Sequence, residues 1–409
     1  MFTIRQMLQR SALIAIGLLA LAGSPAYAQN YVFSDLGGLN DFSRMYSPRG
    51  INNLGQVVGD TSNGTPAVWS NGTWQNLPAL SGPTLSGFGY SAQDINDSGQ
   101  VAGSASSASP DTATALRWNS PTSQPTILTG LIPLDLTQTL LPFDSGWTIN
   151  NPGAVAGTVW RADGSGNNAG IWQPGSTTVT DLGTLGGPFT EVYNHMINDA
   201  GTLVGSGQTE NGEARRAAAW VNGGAPELLA LLPGGANSEA NGINNLGQIV
   251  GAANNGASDD NGDINVPVLW NNVNDQPTLL GTLGGARGMA LSINDAGQIV
   301  GFSEGTDGKA HPTLWANGQI IDLTQFIPAD LIAAGWHIVD DAVGQSSIAS
   351  SDWLDINNQG VIITSLYDNA DHTIPFHLTP VPVPAAVWLF GSGLAGLVGL
   401  ARRRIKATD

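Results

Sequence analysis

From about residue 31 to residue 378 the chain is a succession of short apolar runs separated by Asn, Asp and Gly, and the succession is itself periodic. One nine-residue phrase recurs seven times: INNLGQVVG (51–59), INDSGQVAG (95–103), INNPGAVAG (149–157), INDAGTLVG (197–205), INNLGQIVG (243–251), INDAGQIVG (293–301) and a worn INNQGVIIT (356–364). Its order of residue types is that of a β-hairpin. An Ile ends one strand, Asn and Asp bond their own backbone in the turn, a Gly supplies positive φ, and the next apolar run opens a second strand. A period of about 50 residues with turn signals inside each unit predicts a propeller or a solenoid.

Each unit has room for two further strands. The third ends in Trp in the first six units, at Trp69, Trp118, Trp172, Trp220, Trp270 and Trp315, whereas unit seven has Ile374-Pro375-Phe376-His377 in that region. Asn71-Gly72, Asn222-Gly223 and Asn317-Gly318 then read as two-residue hairpin turns into a fourth strand such as VTDLG (179–183). Unit seven has no fourth strand after it, but a matching segment, Tyr31 to Leu36, stands alone before unit one. The expected fold is therefore an all-β, seven-bladed β-propeller in which the N-terminal strand completes the last blade and removes the open edge. The alternative is an open β-solenoid. In the propeller the Trp residues become wedges between blades.

Composition narrows the class. Gly is 54 of 409 residues and charged residues are 11%, which suits a turn-rich β protein, and 41% hydrophobic residues are too many for disorder. There is no Cys, so neither a disulfide framework nor a Cys-based zinc site is possible. The formal net charge is −18, and six of the 14 basic residues lie at the two ends. The body between them is more acidic still and repels phosphate backbones, which argues against nucleic acid as a partner.

The two ends read as addresses. Residues 1–28 have the form of a secretory signal peptide: Arg5 and Arg10, an apolar stretch at 12–23, and an Ala26-Tyr27-Ala28 cleavage site after Ala28. The repeats occupy 29–379. Residues 380–409 contain an apolar stretch, 385–401, that predicts one transmembrane helix, about 25 Å long at ~1.5 Å per residue, followed by the basic tail Arg402 to Lys406 on the cytoplasmic side. The segment Val381-Pro382-Val383-Pro384-Ala385, the apolar stretch and the Arg-rich end together resemble the VPLPA-like variant of the PEP-CTERM bacterial sorting signal. That resemblance implies recognition by an exosortase-like sorting enzyme, cleavage near Val381–Ala385, and a membrane-anchored precursor that passes to the cell surface or the extracellular space. Without cleavage the tail is a plain single-pass anchor.

The repeats resemble the HAF family of extracellular repeats. Asp181-Leu182-Gly183-Thr184-Leu185-Gly186-Gly187 fits one of its signatures fully, Leu280 to Gly285 fits most of it, and the IN-x-x-G-x-V-x-G phrase is the other. The His-Ala-Phe tripeptide of that family is absent. The resemblance implies an extracellular bacterial protein and no particular reaction.

Candidate chemistry is sparse. Asp259, Asn261, Asp263 and Asn265 place oxygen ligands at the alternate spacing of the first half of a calcium loop, so calcium is the one candidate cofactor. Ile264 replaces that loop's Gly, and position twelve is Trp270 rather than Glu. A solvated Asn/Asp/Gly loop is the plainer reading. Gly301-Phe302-Ser303-Glu304-Gly305 matches the serine-hydrolase pattern without a strand-to-helix elbow. The five His residues form no close metal pair and suit surface or turn positions. Asp163, Glu210, Glu213, Glu304 and Asp307 are carboxylates on the long-loop face, the face where binding is expected, and nothing in their spacing selects a pair. The inner strands offer mostly small or neutral residues to the axis. The expected role is a non-catalytic binding or structural propeller of the bacterial surface or extracellular matrix, with a glycan or protein ligand. The alternative is a secreted propeller enzyme acting on extracellular polysaccharide.

Overall fold

The computed structural model describes residues 30–37, 46–61, 65–80, 89–108, 111–132, 142–210, 214–259, 262–338, 354–368 and 372–381. Residues 33–379 form one compact unit, and residues 1–32 with 380–409 form another. In the second unit the Val381 N–H donates to the Asn30 carbonyl at 2.7 Å. The signal peptide with Ala28, the motif residues Pro382, Val383, Pro384 and Ala385, and the predicted transmembrane helix at 385–401 all lie outside the described residues. Among the described residues the one α-helix is Ala329–Ala333, and no helix is long and apolar enough to cross a membrane.

Seven four-stranded sheets make up the fold, and the protein is a seven-bladed β-propeller. The inner strands of blades 1 to 7 are Tyr46–Ile51, Gly89–Ile95, Ser145–Ile149, Gly186–Glu191, Ser238–Ile243, Gly284–Ile293 and Asp355–Ile356. In blades 1 to 6 the sheet order is the chain order. In blade 7 the strand Tyr31–Asp35 is added beside Thr373–Pro380, which closes the ring as the lone N-terminal segment predicts. Phe33 stacks on Phe376 at 4.7 Å there, and the Leu36 N–H donates to the Pro375 carbonyl.

The Trp residues are wedges with a polar anchor. Trp172 packs on Ala102, Ala115 and Leu128 of blade 2, and Trp118 on Val58, Val68 and Leu77 of blade 1. Each such ring buries ~150–250 Å², about 4–6 kcal/mol of gross burial. The indole N–H of Trp118, Trp172, Trp220, Trp270 and Trp315 donates to a carbonyl of the preceding blade, at Pro78, Thr129, Leu182, Ala230 and Gly281. The DLG signature thus receives the next blade's Trp. In blade 1 Trp74 takes this role, donating to Leu36, while Trp69 lies edge-on to His377. The three predicted Asn-Gly turns have positive φ at both central residues, as that turn type requires.

Both glycines of the repeated phrase are accounted for. The first, such as Gly247 at φ 78°, closes the turn. The second lies under the inner strand: a Cβ at Gly157, Gly251 or Gly301 would come within 1.8, 1.9 or 2.1 Å of the inner-strand carbonyl of Ser145, Glu239 or Met289. Blade 7 carries Thr364 at this position.

A buried carboxyl off the axis gives a testable consequence. Asp144 is 1% exposed, accepts from Trp160 N at 2.8 Å, and fills the space that a Cβ at Gly130 would need. Burial pushes its pKa up to about 7. Between about pH 4 and 7 the folded chain holds a proton the unfolded chain has released, so stability falls as pH rises, by about 4 kcal/mol across that range. Asp144→Asn keeps the acceptor and removes the titration. Its unfolding free energy should exceed that of the natural chain above pH 7 and converge with it near pH 4, as urea unfolding at both pH values will show.

Candidate functional site

The repeated phrase builds the axis. In every blade its first Asn occupies a turn closed by two backbone bonds, as between Asn244 and Gln248 and between Gly247 and Asn244. The Asn244 Oδ1 accepts from the amides two and four residues on, Leu246 and Gln248. The Nδ2 reaches into the neighbouring blade. Asn52 donates to the Asn96 carbonyl, Asn96 to Asn150, Asn150 to Asn198, Asn198 to Asn244, Asn244 to Asn294, Asn294 to Asn357, and Asn357 back to Asn52, at 2.9–3.2 Å. This is a closed ring of seven carboxamides. In the four blades with Gln at the sixth position of the phrase, the second Nδ2 proton goes to that Gln, so the carboxamide there makes all four of its bonds.

The next residue forms a second closed ring nearer solvent. The backbone N–H of Asn53, Asp97, Asn151, Asp199, Asn245, Asp295 and Asn358 donates to Oδ1 of the corresponding residue of the following blade, at 2.7–2.9 Å. Three of the seven are Asp, so this end of the axis is acidic.

Beneath the rings lies a cavity of about 130 Å³. Its floor comes from a defect common to the inner strands. Five of them carry a β-bulge immediately before the repeated phrase, as between Ala92 and Asp94 and between Gly146 and Thr148. A bulge re-aims the side chains at the kink, and Asp94, Thr148 and Ser292 reach the cavity from such positions. Asp94 accepts from Thr148 Oγ1 and Ile149 N of blade 3, both at 2.9 Å. Asp355 accepts from Ile51 N of blade 1 at 3.1 Å and Ser292 Oγ of blade 6 at 2.7 Å.

Blade 4 departs furthest. Its inner strand stops at Glu191, and the chain turns through Asn194 and His195, with His195 left-handed at φ 58°. Asn194 Nδ2 crosses the axis to the carbonyls of Arg49 (3.1 Å) and Gln93 (2.6 Å). His195 sets Nε2 3.0 Å from Asp355 Oδ2 and Nδ1 3.9 Å from Asp94 Oδ1. The Nε2 proton is off line for a good hydrogen bond, so the contact is one of charge. Burial opposes the imidazolium, but Asp355, Asp94 and the Arg49 carbonyl outweigh it and raise the His195 pKa.

The residues singled out by sequence are elsewhere. Asp259 ends a hairpin strand and its carboxylate is clasped by Arg287 at 2.5 and 2.9 Å. Asp263 and Asn265 lie on the partner strand opposite Ser258 and Asn254, and Asn261 lies outside the described residues. Their alternate spacing is a strand's, and a cation there would have to displace Arg287 from Asp259. Among the described residues no group of three His, Asp or Glu is placed to hold a metal ion. Ser303 is buried with its hydroxyl 2.9 Å from Thr313 Oγ1, inside a strand rather than on an elbow. Asp163 bonds Ser165, Glu304 takes the amides of Ala286 and Arg287, and Asp307 pairs with His311, so these three carboxylates serve separate local contacts; Glu213 lies outside the described residues. The cavity is on the short-turn face, opposite the one that loop length favours. The acidic floor corrects the expectation of a small and neutral axis. The missed signal was the residue just before the phrase, Asp in AQDIN (94) and LDIN (355), and in blade 4 the His two residues before it, at 195 in YNHMIN.

No protein-family model and no curated protein matches the chain. Solved structures match at low identity. YCF48 from Cyanidioschyzon merolae aligns over 85% of this chain and 99% of its own at 8% identity, TM-score 0.46. The Niastella koreensis GH74 enzyme aligns over 81% and 65% at 11% identity, TM-score 0.41. A Trypanosoma rangeli sialidase aligns over 80% and 58% at 12% identity, TM-score 0.35. Likeness at this level says nothing of ligand or reaction, and the functional reading rests on this chain's own residues.

Proposed function

We propose that this chain is an exported bacterial propeller of the cell surface or extracellular matrix, acting by binding or as a structural element rather than by catalysis. The observation that carries the non-catalytic part is the saturation of the axis. The Asp94 and Asp355 carboxylates are bound to amides and hydroxyls of neighbouring blades and to one imidazole, and such mutual commitment holds a ring together instead of leaving a base free for substrate. Export is read from the signal-like N-terminus and from the Val381–Ala385 motif with its apolar stretch and basic end. An exosortase-like enzyme is the expected partner in processing, and a glycan or protein the expected ligand outside.

The test is the mass of the chain recovered from the cell surface and from the medium. A C-terminus within Val381–Ala385 is the expected result. A chain ending at Asp409 in both fractions contradicts processing and leaves a membrane-anchored propeller.

A further inference from the structure

The outer ring does not brace every interface between blades. Side-chain amide-to-carboxylate bonds join blades 1 and 2 (Asn53 to Asp97), 3 and 4 (Asn151 to Asp199), 5 and 6 (Asn245 to Asp295), and 6 and 7 (Asn358 to Asp295). Seven positions cannot alternate Asn and Asp perfectly, and Asn358 meets Asn53 at the seam where the chain closes. Among the described hydrogen bonds, no such pair spans blades 2 and 3, 4 and 5, or 7 and 1. The cavity floor bridges those three interfaces. Asp94 takes Thr148 and Ile149 of blade 3, the His195 carbonyl takes the Ile243 amide of blade 5 at 3.1 Å, and Asp355 takes the Ile51 amide of blade 1.

We propose that His195, Asp94 and Asp355 form a proton-operated clasp: with His195 protonated these three interfaces are locked, and on its deprotonation the two held by the carboxylates, between blades 7 and 1 and between blades 2 and 3, loosen. Asp94 of blade 2 and Asp355 of blade 7 face the imidazole directly. Arg49 of blade 1 offers its carbonyl, while its guanidinium lies 3.0 Å from Asp60 and donates to Gln93. Thr148 and Ser292 add neutral hydroxyls, and Asp97, Asp199 and Asp295 line the mouth. No Lys or Arg is among the described residues lining the cavity, so the imidazolium is its one source of positive charge. Without it, two buried carboxylates face one another uncompensated.

The direction of the effect follows from linkage. A histidine whose pKa is raised by folding adds stability that is complete below its ordinary value of 6.5 and is lost as pH climbs through the folded value. Asp94, raised foremost by burial, acts with the same sign.

Amide hydrogen exchange on the full chain tests the clasp at Ile51 and Ile149, whose N–H groups donate to Asp355 and Asp94. Exchange is expressed relative to free peptide, so the intrinsic pH dependence cancels. Protection at both should fall about tenfold or more between about pH 6 and pH 9. His195→Asn accepts the left-handed backbone and carries no charge, and the pH dependence of its protection at Ile51 should be largely lost. If the variant does not fold, imidazole NMR titration of the natural chain decides: His195 should titrate above 6.5, in step with exchange at Ile51. Unchanged protection in the natural chain, the same pH dependence in His195→Asn, or a His195 titration below 6.5 overturns the proposal.

Discussion

Asn244→Asp weakens the ring more than Asn244→Ala, although Asp is the closer match in shape. Alanine deletes four hydrogen bonds, two accepted from Leu246 and Gln248 amides and two donated to Gln248 Oε1 and the Asn294 carbonyl. At a net ~1 kcal/mol each the loss is about 4 kcal/mol. Aspartate keeps both acceptors and turns its other oxygen toward the Asn294 carbonyl, a repulsion between acceptors that the backbone cannot relieve by rotating. Gln248 can flip its amide to meet the carboxylate, but Asn244 is 4% exposed, and a charge buried there without a cation adds further cost. The expected loss is about 5 kcal/mol or more for Asp at pH 7, read as the shift in urea midpoint at constant slope. Asp tolerated as well as Asn would mean that the Nδ2 donations across the blades contribute nothing.

Gly251→Ala and Gly247→Ala separate the two glycines of the phrase. Gly247 has positive φ, and nothing lies within 4 Å of an added Cβ, so alanine there bears only the left-handed penalty of about 1–2 kcal/mol. Gly251 has no special φ, but its Cβ would sit 1.9 Å from the Glu239 carbonyl oxygen and 2.9 Å from its carbon. The inner strand must then lift from the sheet and lose its pairing through Ala240 and Ala252. A loss of about 3 kcal/mol or more is expected, beyond that at Gly247. Thermal unfolding of the two variants side by side checks the order, and the reverse order would place the strain in the turn instead of beneath the strand.

The fold was legible because the repeated phrase states it locally. Asn, Gly and the apolar run specify a hairpin wherever they occur, the Trp marks the blade interface, and the unmatched Tyr31–Leu36 segment could only complete blade 7. The role of the first Asn was not legible, since its turn bonds are local while its Nδ2 acceptor lies 44 to 63 residues away within the ring, and 305 away at the seam. The axial cluster was hidden for a related reason. Asp94, His195 and Asp355 belong to blades 2, 4 and 7, and only the closed ring with the blade 4 detour brings them together. The oxygen spacing from Asp259 to Asn265 does not by itself select a ligand set, because a loop around a cation and a strand both place alternate residues on one side.

Ring closure is the claim on which the rings, the cavity and the clasp all depend, and a disulfide tests it most directly. The chain has no Cys of its own. The Leu36 N–H donates to the Pro375 carbonyl and the Val381 N–H to the Asn30 carbonyl, an antiparallel register that sets Phe33 opposite Leu378, so Phe33→Cys with Leu378→Cys brings two thiols within bridging reach. After mild oxidation the intact mass of the monomer should show the loss of two hydrogens and no free thiol should react. Two free thiols in the folded monomer would contradict closure by the N-terminal strand and leave the repeats as an open array.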